Sequence, residues 1–493
     1  MTQAGDSGIS PDSIENQIRN AIFWRSGSQI LAQMLMWAAT LVVIRLLSPA
    51  DYGLFAMTQT VLALFNVMNG YGFAAALVQA PRVDDRRVAQ VFGMLILLNG
   101  ALALAQLAIA PLAASYYRQP QVAQMLSAQA LLYLLTPFIA LPSALLSRTL
   151  DFRRQARVNL AAALAGATTS LGCALGGLGV WTLVAAPIAL FGTRAVGLTI
   201  AAGGLIRPSF RFDGAGATFG FGGALLLGQI FWIIQSQADI VIAGRMLDPH
   251  DLGLYAEALF LALIFTSKFV PPLNEVAFPA YARVQHDRQI AARGFLKAVR
   301  FVMLLACPLY AGLALTTPSL IETLFGAKWM GMAPYATIIA IAMPIITLQI
   351  LFAPATNGLG QPRIAMWCAA AGAIIMPLCF LGGLQWGGAM GLAAAWLVGA
   401  PLLLAVTGWL SLPAIGARWN DLAHAVAPAA GATAGMAVAL AIAATMTTPL
   451  HAAPRLALLV TIGVASYCGL LFAFARPTLD ELVRIARQRP AAA

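Results

Sequence analysis

The chain is expected to be an all-α, polytopic membrane protein of about 14 transmembrane helices, arranged as two parallel six-helix repeats plus a C-terminal helix pair. Three observations predict this. Only 10% of its 493 residues are charged and 60% are hydrophobic, with a mean hydropathy of +0.81, whereas a soluble domain carries about 25% charged residues. Apolar runs of span length recur along the chain, since a helix rising about 1.5 Å per residue needs roughly 20 residues to cross about 30 Å of hydrocarbon. Finally, the stretch Arg45 to Ala56, RLLSPADYGLFA, returns at an offset of 200 as Arg245 to Ala256, RMLDPHDLGLYA, with seven identities in twelve positions. Gln29 against Gln229 and Ala38 against Ala238 extend the repeat upstream, so whole helical segments are duplicated.

The runs lack strict period-2 alternation, which excludes an outer-membrane barrel. Residues 1–20 are polar, with Asp6, Asp12 and Glu15, and read as a cytoplasmic tail, not a signal peptide. The first lobe, 21–212, holds spans near 21–44, 53–78, 91–115, 122–144, 158–178 and 180–203. The second, 213–416, holds spans near 218–243, 253–278, 298–318, 334–356, 364–383 and 386–411. A last pair near 425–447 and 456–475 fills 417–476, and 477–493 forms a second cytoplasmic tail.

Of the 29 lysines and arginines, 22 fall in the terminal segments and the even-numbered connections, counting Arg25 and Arg300 at the edges of their spans with the adjoining segments. Five fall in odd-numbered connections, and Arg194 and Lys268 lie within spans. This bias predicts that both termini lie in the cytoplasm. It also places the net charge of +11 in short loops, which argues against nucleic acid as a partner. Six spans separate the two repeated motifs, so both face the same side and the halves are parallel repeats. Each motif reads as a tight structural corner, with Pro49 and Pro249 ending one helix and Gly53 and Gly253 opening the next.

Trp24, Tyr116, Tyr117, Trp181, Trp329, Trp409 and Trp419 fall near span ends and are expected to form an interfacial aromatic belt. Cys173, Cys307, Cys368, Cys379 and Cys468 lie in apolar runs without a CxxC pair, so core packing is expected in place of a disulfide or metal site. His250, His286, His424 and His451 are scattered in connections, and Asp84 and Asp85 sit in the short basic loop VDDRR. No metal site or resident cofactor is expected.

Ionisable and amide side chains inside lipid are the candidate functional groups, because each costs about 2.5–3.5 kcal/mol by insertion scales when charged. Arg25, Gln29 and Gln33 share one face of the first span at i, i+4 and i+8, and Gln59, Asn66 and Asn69 share a face of the second. Arg194 lies on the sixth. The seventh span offers Gln229, Gln235, Gln237 and Asp239, and the eighth offers Glu257 and Lys268. Eleven residues make almost three turns, so Glu257 and Lys268 point the same way about 16 Å apart. Pro271 and Pro272 are expected to break this helix just before Asn274 and Glu275. Arg25, Gln29, Gln33, Asn66, Asn69, Arg194, Lys268 and Asn274 are the substrate-binding candidates. Asp239, Glu257 and Glu275 are the ion-coupling candidates.

Motifs of catalysis are missing: the sequence has no GxxxxGK(S/T) phosphate loop, no HExxH and no GxSxG. With connections under roughly twenty residues, a soluble catalytic domain of about 50 residues or more is excluded.

The segments FWRSGSQILAQ and RLLSPADYGLFAM resemble the start of Wzx-type polysaccharide flippases, in the multidrug/oligosaccharidyl-lipid/polysaccharide exporter superfamily. QADIVIAGRMLDPHDLGLYAEA, PPLNEVAFPAYARVQ, LFGAKWMGMAPY and NGLGQPR look like the successive signatures of its lipopolysaccharide-biosynthesis branch. The resemblance runs to about residue 411; the last two spans match in position and hydrophobicity only. It implies a translocase for undecaprenyl-diphosphate-linked oligosaccharide units of O-antigen or exopolysaccharide, working by alternating access and handing them to a polymerase and chain-length machinery. It further implies a diphosphate contact at Arg25, by analogy with first-helix arginines of the lipid II flippase, and cation coupling at Asp239. Where that relative has a basic residue after the acid of the next helix, Ala258 stands here, and Lys268 is the candidate to supply the charge. Proton or sodium exchange and the membrane potential are the candidate drives.

Two rival readings remain beside it. A cation-coupled multidrug antiporter of the same superfamily has typically twelve spans and an acidic cavity, which fourteen spans and Arg25 disfavour. A membrane-embedded glycosyltransferase or polymerase needs a catalytic carboxylate and a long outer loop, and neither is visible.

Overall fold

The computed structural model describes residues 11–66, 68–69, 77–78, 84–149, 151–211 and 223–474. Both expected tails lie in part or whole outside them, at 1–10 and 477–493. Among the described residues there are helices and no strand, and eleven helices are long and apolar enough to cross a membrane. The chain is an all-α polytopic membrane protein, and it divides into two compact units, Met1–Phe221 and Gly222–Ala493.

The first unit contains α1 (Pro11–Leu46), α2 (Pro49–Asn66), α3 (Asp85–Tyr117), α4 (Pro120–Gln129), α5 (Leu131–Leu135), α6 (Pro137–Arg148), α7 (Phe152–Leu175) and α8 (Trp181–Ala201). α1 begins ten residues ahead of the expected first span. The fourth span is three helical pieces, α4 to α6, whose second break falls at Pro137, a residue without an N–H to continue the ladder. α7 packs between α1 and α8, and α3 packs along α4. Asp84 and Asp151 each cap the next helix by accepting the backbone N–H three residues on.

The second unit contains α9 (Gly223–Met246), α10 (Pro249–Arg283), α11 (Arg288–Leu324), a 3-10 turn (Ala327–Met332), α12 (Ala333–Ile350), α13 (Phe352–Gly358), α14 (Pro362–Ile415), α15 (Trp419–Met446) and α16 (Ala452–Phe474). α14 is two helices joined by a turn, because Gly387 (φ −142°, ψ 20°) and Gly388 (φ 57°, ψ −140°) leave the helical region. These glycines fall just inside the second of the expected spans 364–383 and 386–411, so the turn comes two to three residues later than expected. α15 and α16 pack on α11 through a buried cluster that includes Val299, Met303, Leu422, Ala429, Met436 and Tyr467. There the Tyr467 hydroxyl donates to the Leu304 carbonyl at 2.8 Å.

The repeated corners differ from expectation in one respect. Pro49 and Pro249 open α2 and α10 instead of closing the helices before them, since a first-turn proline loses no hydrogen bond and is already set to a helical φ. The two corners are capped differently. Asp51 accepts from the Ser48 N–H and hydroxyl at 2.9 and 2.6 Å, whereas Asp248 accepts from the N–H groups of His250 and Asp251 at 2.8 and 3.1 Å.

Two members of the expected aromatic belt are interior. Trp329 is fully buried, edge-on to Phe325, and Tyr117 is buried as well; adjacency to a span end does not say which face of the turn a ring takes. Cys468 is exposed on α16 and does not pack in the core.

Candidate functional site

The most enclosed carboxylate described in the second unit is that of Asp239 on α9, 1% exposed. Its Oδ1 accepts from the Ile240 N–H at 2.8 Å and its Oδ2 accepts from the Tyr255 hydroxyl at 2.9 Å. The Tyr255 oxygen in turn accepts from the indole Nε1–H of Trp396 at 2.9 Å. All three side chains are buried, and the Trp396 ring also leans on Phe380 at 5.2 Å. One donor chain thus ends on the carboxylate and ties α9, α10 and both arms of α14 together. A buried carboxylate persists only when hydrogen-bonded in this way. One turn earlier, Gln235 lies against Gly372 of α14, where any Cβ would run into its amide. Tyr255 and Trp396 were not among the expected site residues; a position-by-position comparison of the two repeat copies would have exposed Tyr255.

α10 carries the second feature. Pro271 and Pro272 do not break it: the helix runs unbroken from Pro249 to Arg283. Each proline lacks an N–H for the ladder and crowds the carbonyl four residues back, costs that membrane helices absorb. The consequence is geometric. Glu257, Lys268 and Glu275 fall 11 and 18 residues apart, close to whole numbers of turns, and form one acid–base–acid line about 27 Å long. Glu257 is half-buried, while Lys268 and Glu275 are exposed. No ion pair engages any of the three among the described residues. Asn274 is half-buried on the adjoining face.

In the first unit, Gln29 and Gln33 are exposed along α1, and the Arg25 side chain lies outside the described residues. Gln59 and Asn66 are exposed on one face of α2. Asn69 does not share that face, because α2 ends at Asn66 and Asn69 sits in a bend beyond it, where its carbonyl accepts from the Asn99 amide at 3.0 Å. Arg194 on α8 is half-buried, and its Nε–H is enclosed without a hydrogen-bond partner among the described residues. Asn159, on the neighbouring α7, likewise has an enclosed amide oxygen with none. An enclosed guanidinium N–H without a partner is costly inside a membrane helix, which keeps Arg194 a candidate site residue.

Comparison with known proteins gives a family match for the chain. The profile of the family described as "Polysaccharide biosynthesis protein" matches residues 42–334, more than half of the chain. The chain is 27% identical to the succinoglycan biosynthesis transport protein ExoT of Rhizobium meliloti over 68% of this chain and 67% of that protein. It is 22% identical to the teichuronic acid biosynthesis protein TuaB of Bacillus subtilis, over 84% and 87%. It is 21% identical to the lipopolysaccharide biosynthesis protein WzxC of Escherichia coli, over 61% of each. Among solved structures, the lipid II flippase MurJ superposes with a TM-score of 0.72 at 11% identity, over 93% of this chain and 100% of that one. A MATE-family multidrug transporter superposes with a TM-score of 0.55 at 12% identity, over 76% and 94%.

Proposed function

This chain belongs to the polysaccharide biosynthesis protein family, and on that premise we propose that it translocates a diphosphate-lipid-linked oligosaccharide from the cytoplasmic to the periplasmic leaflet of the inner membrane. It is a membrane transport protein and not an enzyme. The observation that carries the proposal is the family match over residues 42–334, with Arg194, whose enclosed Nε–H has no hydrogen-bond partner among the described residues, as a candidate contact.

The physical problem is the head group. Moving a diphosphate and several sugars through hydrocarbon costs tens of kcal/mol for the charges alone on a Born estimate. Polar side chains set along the helices lower that barrier: Arg25, Gln29, Gln33, Asn66 and Arg194 in one lobe, Lys268 and Asn274 in the other. The isoprenoid tail stays in the lipid while the head crosses by alternating access of the two lobes. The delivered unit then passes to a polymerase and its chain-length machinery.

Two drives act on such a substrate. Each elementary charge moved through 100 mV is worth about 2.3 kcal/mol, so an anion leaving a negative interior is pushed outward. Proton or sodium exchange at Asp239, Glu257 or Glu275 is the second, with the Asp239–Tyr255–Trp396 chain as the group that responds. Deleting the gene tests the function: surface polysaccharide should disappear and lipid-linked units accumulate, both reversed by the wild-type gene. Unchanged surface polysaccharide, or efflux of cationic dyes by cells expressing the protein, would contradict it.

A further inference from the structure

We propose that the first unit holds a small alkali cation in the seam between α3 and α4–α5, beside the C-terminal end of α2. Four side chains there are buried almost completely: Asn99 and Gln106 on α3, Gln129 on α4 and Tyr133 on α5. On each, the atom without a hydrogen-bond partner among the described residues is an oxygen: Asn99 Oδ1, Gln106 Oε1, Gln129 Oε1 and Tyr133 Oη. Buried polar atoms are satisfied in the great majority of cases, so the three toward the α2 end of the seam, Asn99, Gln129 and Tyr133, call for a common ligand, while Gln106 lies about 10 Å from Asn99 along α3 and flanks them.

The amide orientations on α3 are fixed. Asn99 Nδ2 donates to the carbonyls of Leu95 and Asn69 at 2.9 and 3.0 Å, and Gln106 Nε2 donates to that of Leu126 at 2.7 Å. Flipping either amide would set oxygen against oxygen. Both therefore present acceptors, not donors, to the remaining space.

The same bonds set the register. Gln106 lies opposite Leu126, and in an antiparallel pair seven residues back along α3 reaches Asn99 as seven residues forward reaches Tyr133. Gln129 lies one turn from Leu126. The Tyr133 ring stands edge-on to Phe65 of α2 at 6.2 Å, and Asn99 holds the carbonyl of Asn69 just past the end of that helix. Asn99 and Tyr133 thus converge where α2 presents its negative end, equivalent to about half an elementary charge.

No lysine, arginine, aspartate or glutamate occurs from Tyr52 to Pro81, from Val88 to Tyr117 or from Gln119 to Ser147. The wall is uncharged and made of hard oxygen acceptors at a helix C-terminus, a setting that favours a cation. Lacking any carboxylate, it suits a monovalent ion and not calcium or magnesium. The site belongs to the first unit, whereas the Asp239 chain belongs to the second, and its occupancy requires no glycolipid.

Thermal unfolding of the purified protein tests it, in sodium chloride, potassium chloride and N-methylglucamine chloride at equal ionic strength. Sodium or potassium should raise Tm saturably by about 2 °C or more, and Gln129→Leu and Tyr133→Phe should each lose that increment whatever their own baseline. Crystals of the wild type soaked in thallium should show an anomalous peak between α3 and α4–α5, which covers the case of variants that fail to fold. Equal Tm in all three salts, an increment kept by both variants, or density for bridging waters alone would overturn the proposal. So would an increment abolished by Asp239→Asn and kept by Gln129→Leu, which would place the ion in the second unit.

Discussion

Asp239 and Tyr255 are the positions at which the second copy of the repeat replaces Ala39 and Phe55 with a hydrogen-bonded pair, closed at 2.9 Å and fully buried. The corner that follows is shared by both copies, so the backbone does not require the pair. It is a polar substitution in one lobe, and an ionisable group inside a membrane helix is by default a candidate functional group.

The first prediction concerns that pair. Tyr255→Phe leaves a buried carboxylate and the Trp396 N–H each short of a partner, and should cost about 1.5–3 kcal/mol. The double variant Asp239→Ala/Tyr255→Phe, which restores the side chains of the first copy, should be more stable than the sum of its singles by about 1 kcal/mol or more. Thermal unfolding of the four proteins gives this coupling directly; strict additivity would mean that the bond contributes nothing.

The turn within α14 gives the second. Gly388 has φ 57° and ψ −140°, a region open essentially to glycine, and a Cβ on Gly391 would collide with the Gly383 carbonyl across the turn. Gly388→Ala and Gly391→Ala should each lower stability by about 1–3 kcal/mol, whereas Gly382→Ala, with nothing within 4 Å of its added methyl, should be neutral or slightly stabilising. Comparing folded yield and Tm across the three variants checks it.

Cations expected to meet the diphosphate give the third. Arg25→Ala, Arg194→Ala and Lys268→Ala should each cut surface polysaccharide about tenfold at unchanged protein level, the loss of one charge-assisted contact of about 1.5 kcal/mol. Immunoblotting of membranes beside quantified capsule or lipopolysaccharide separates transport from expression. Normal export from a variant removes that residue from the site.

Topology gives the fourth. Fluorescent protein fused after Ala493 should fluoresce, and alkaline phosphatase inserted between Thr447 and His451 should be active, because the charge bias sets those points on opposite sides of the membrane. The reverse pair of signals would invert the assignment.

Much of the fold was legible because the bilayer imposes a length and an apolar composition on each span. The runs at 91–115 and 298–318 fall within α3 and α11, and the charge-free turn of α14 was marked by paired glycines. What escaped was set by neighbours and not by local sequence. The continuity of α10 through Pro271 and Pro272 depends on how the lost hydrogen bonds are absorbed, and it is this continuity that brings Glu275 into line with Glu257 and Lys268. Trp329 looked interfacial from its position, and only the packing of the 3-10 turn buries it. Asn99, Gln106 and Gln129 were passed over as amides in apolar runs because nothing local distinguishes a buried amide from one facing water.

The most direct test of the account is redistribution of a lipid-linked oligosaccharide in proteoliposomes, read by its accessibility to a membrane-impermeant lectin. With the purified protein, glycan confined at first to the inner leaflet should become accessible outside, and the rate should fall about tenfold with Arg194→Ala. Glycan that stays inaccessible in vesicles containing correctly folded protein, or becomes accessible equally fast in protein-free vesicles, would contradict the assignment of this chain as the translocase.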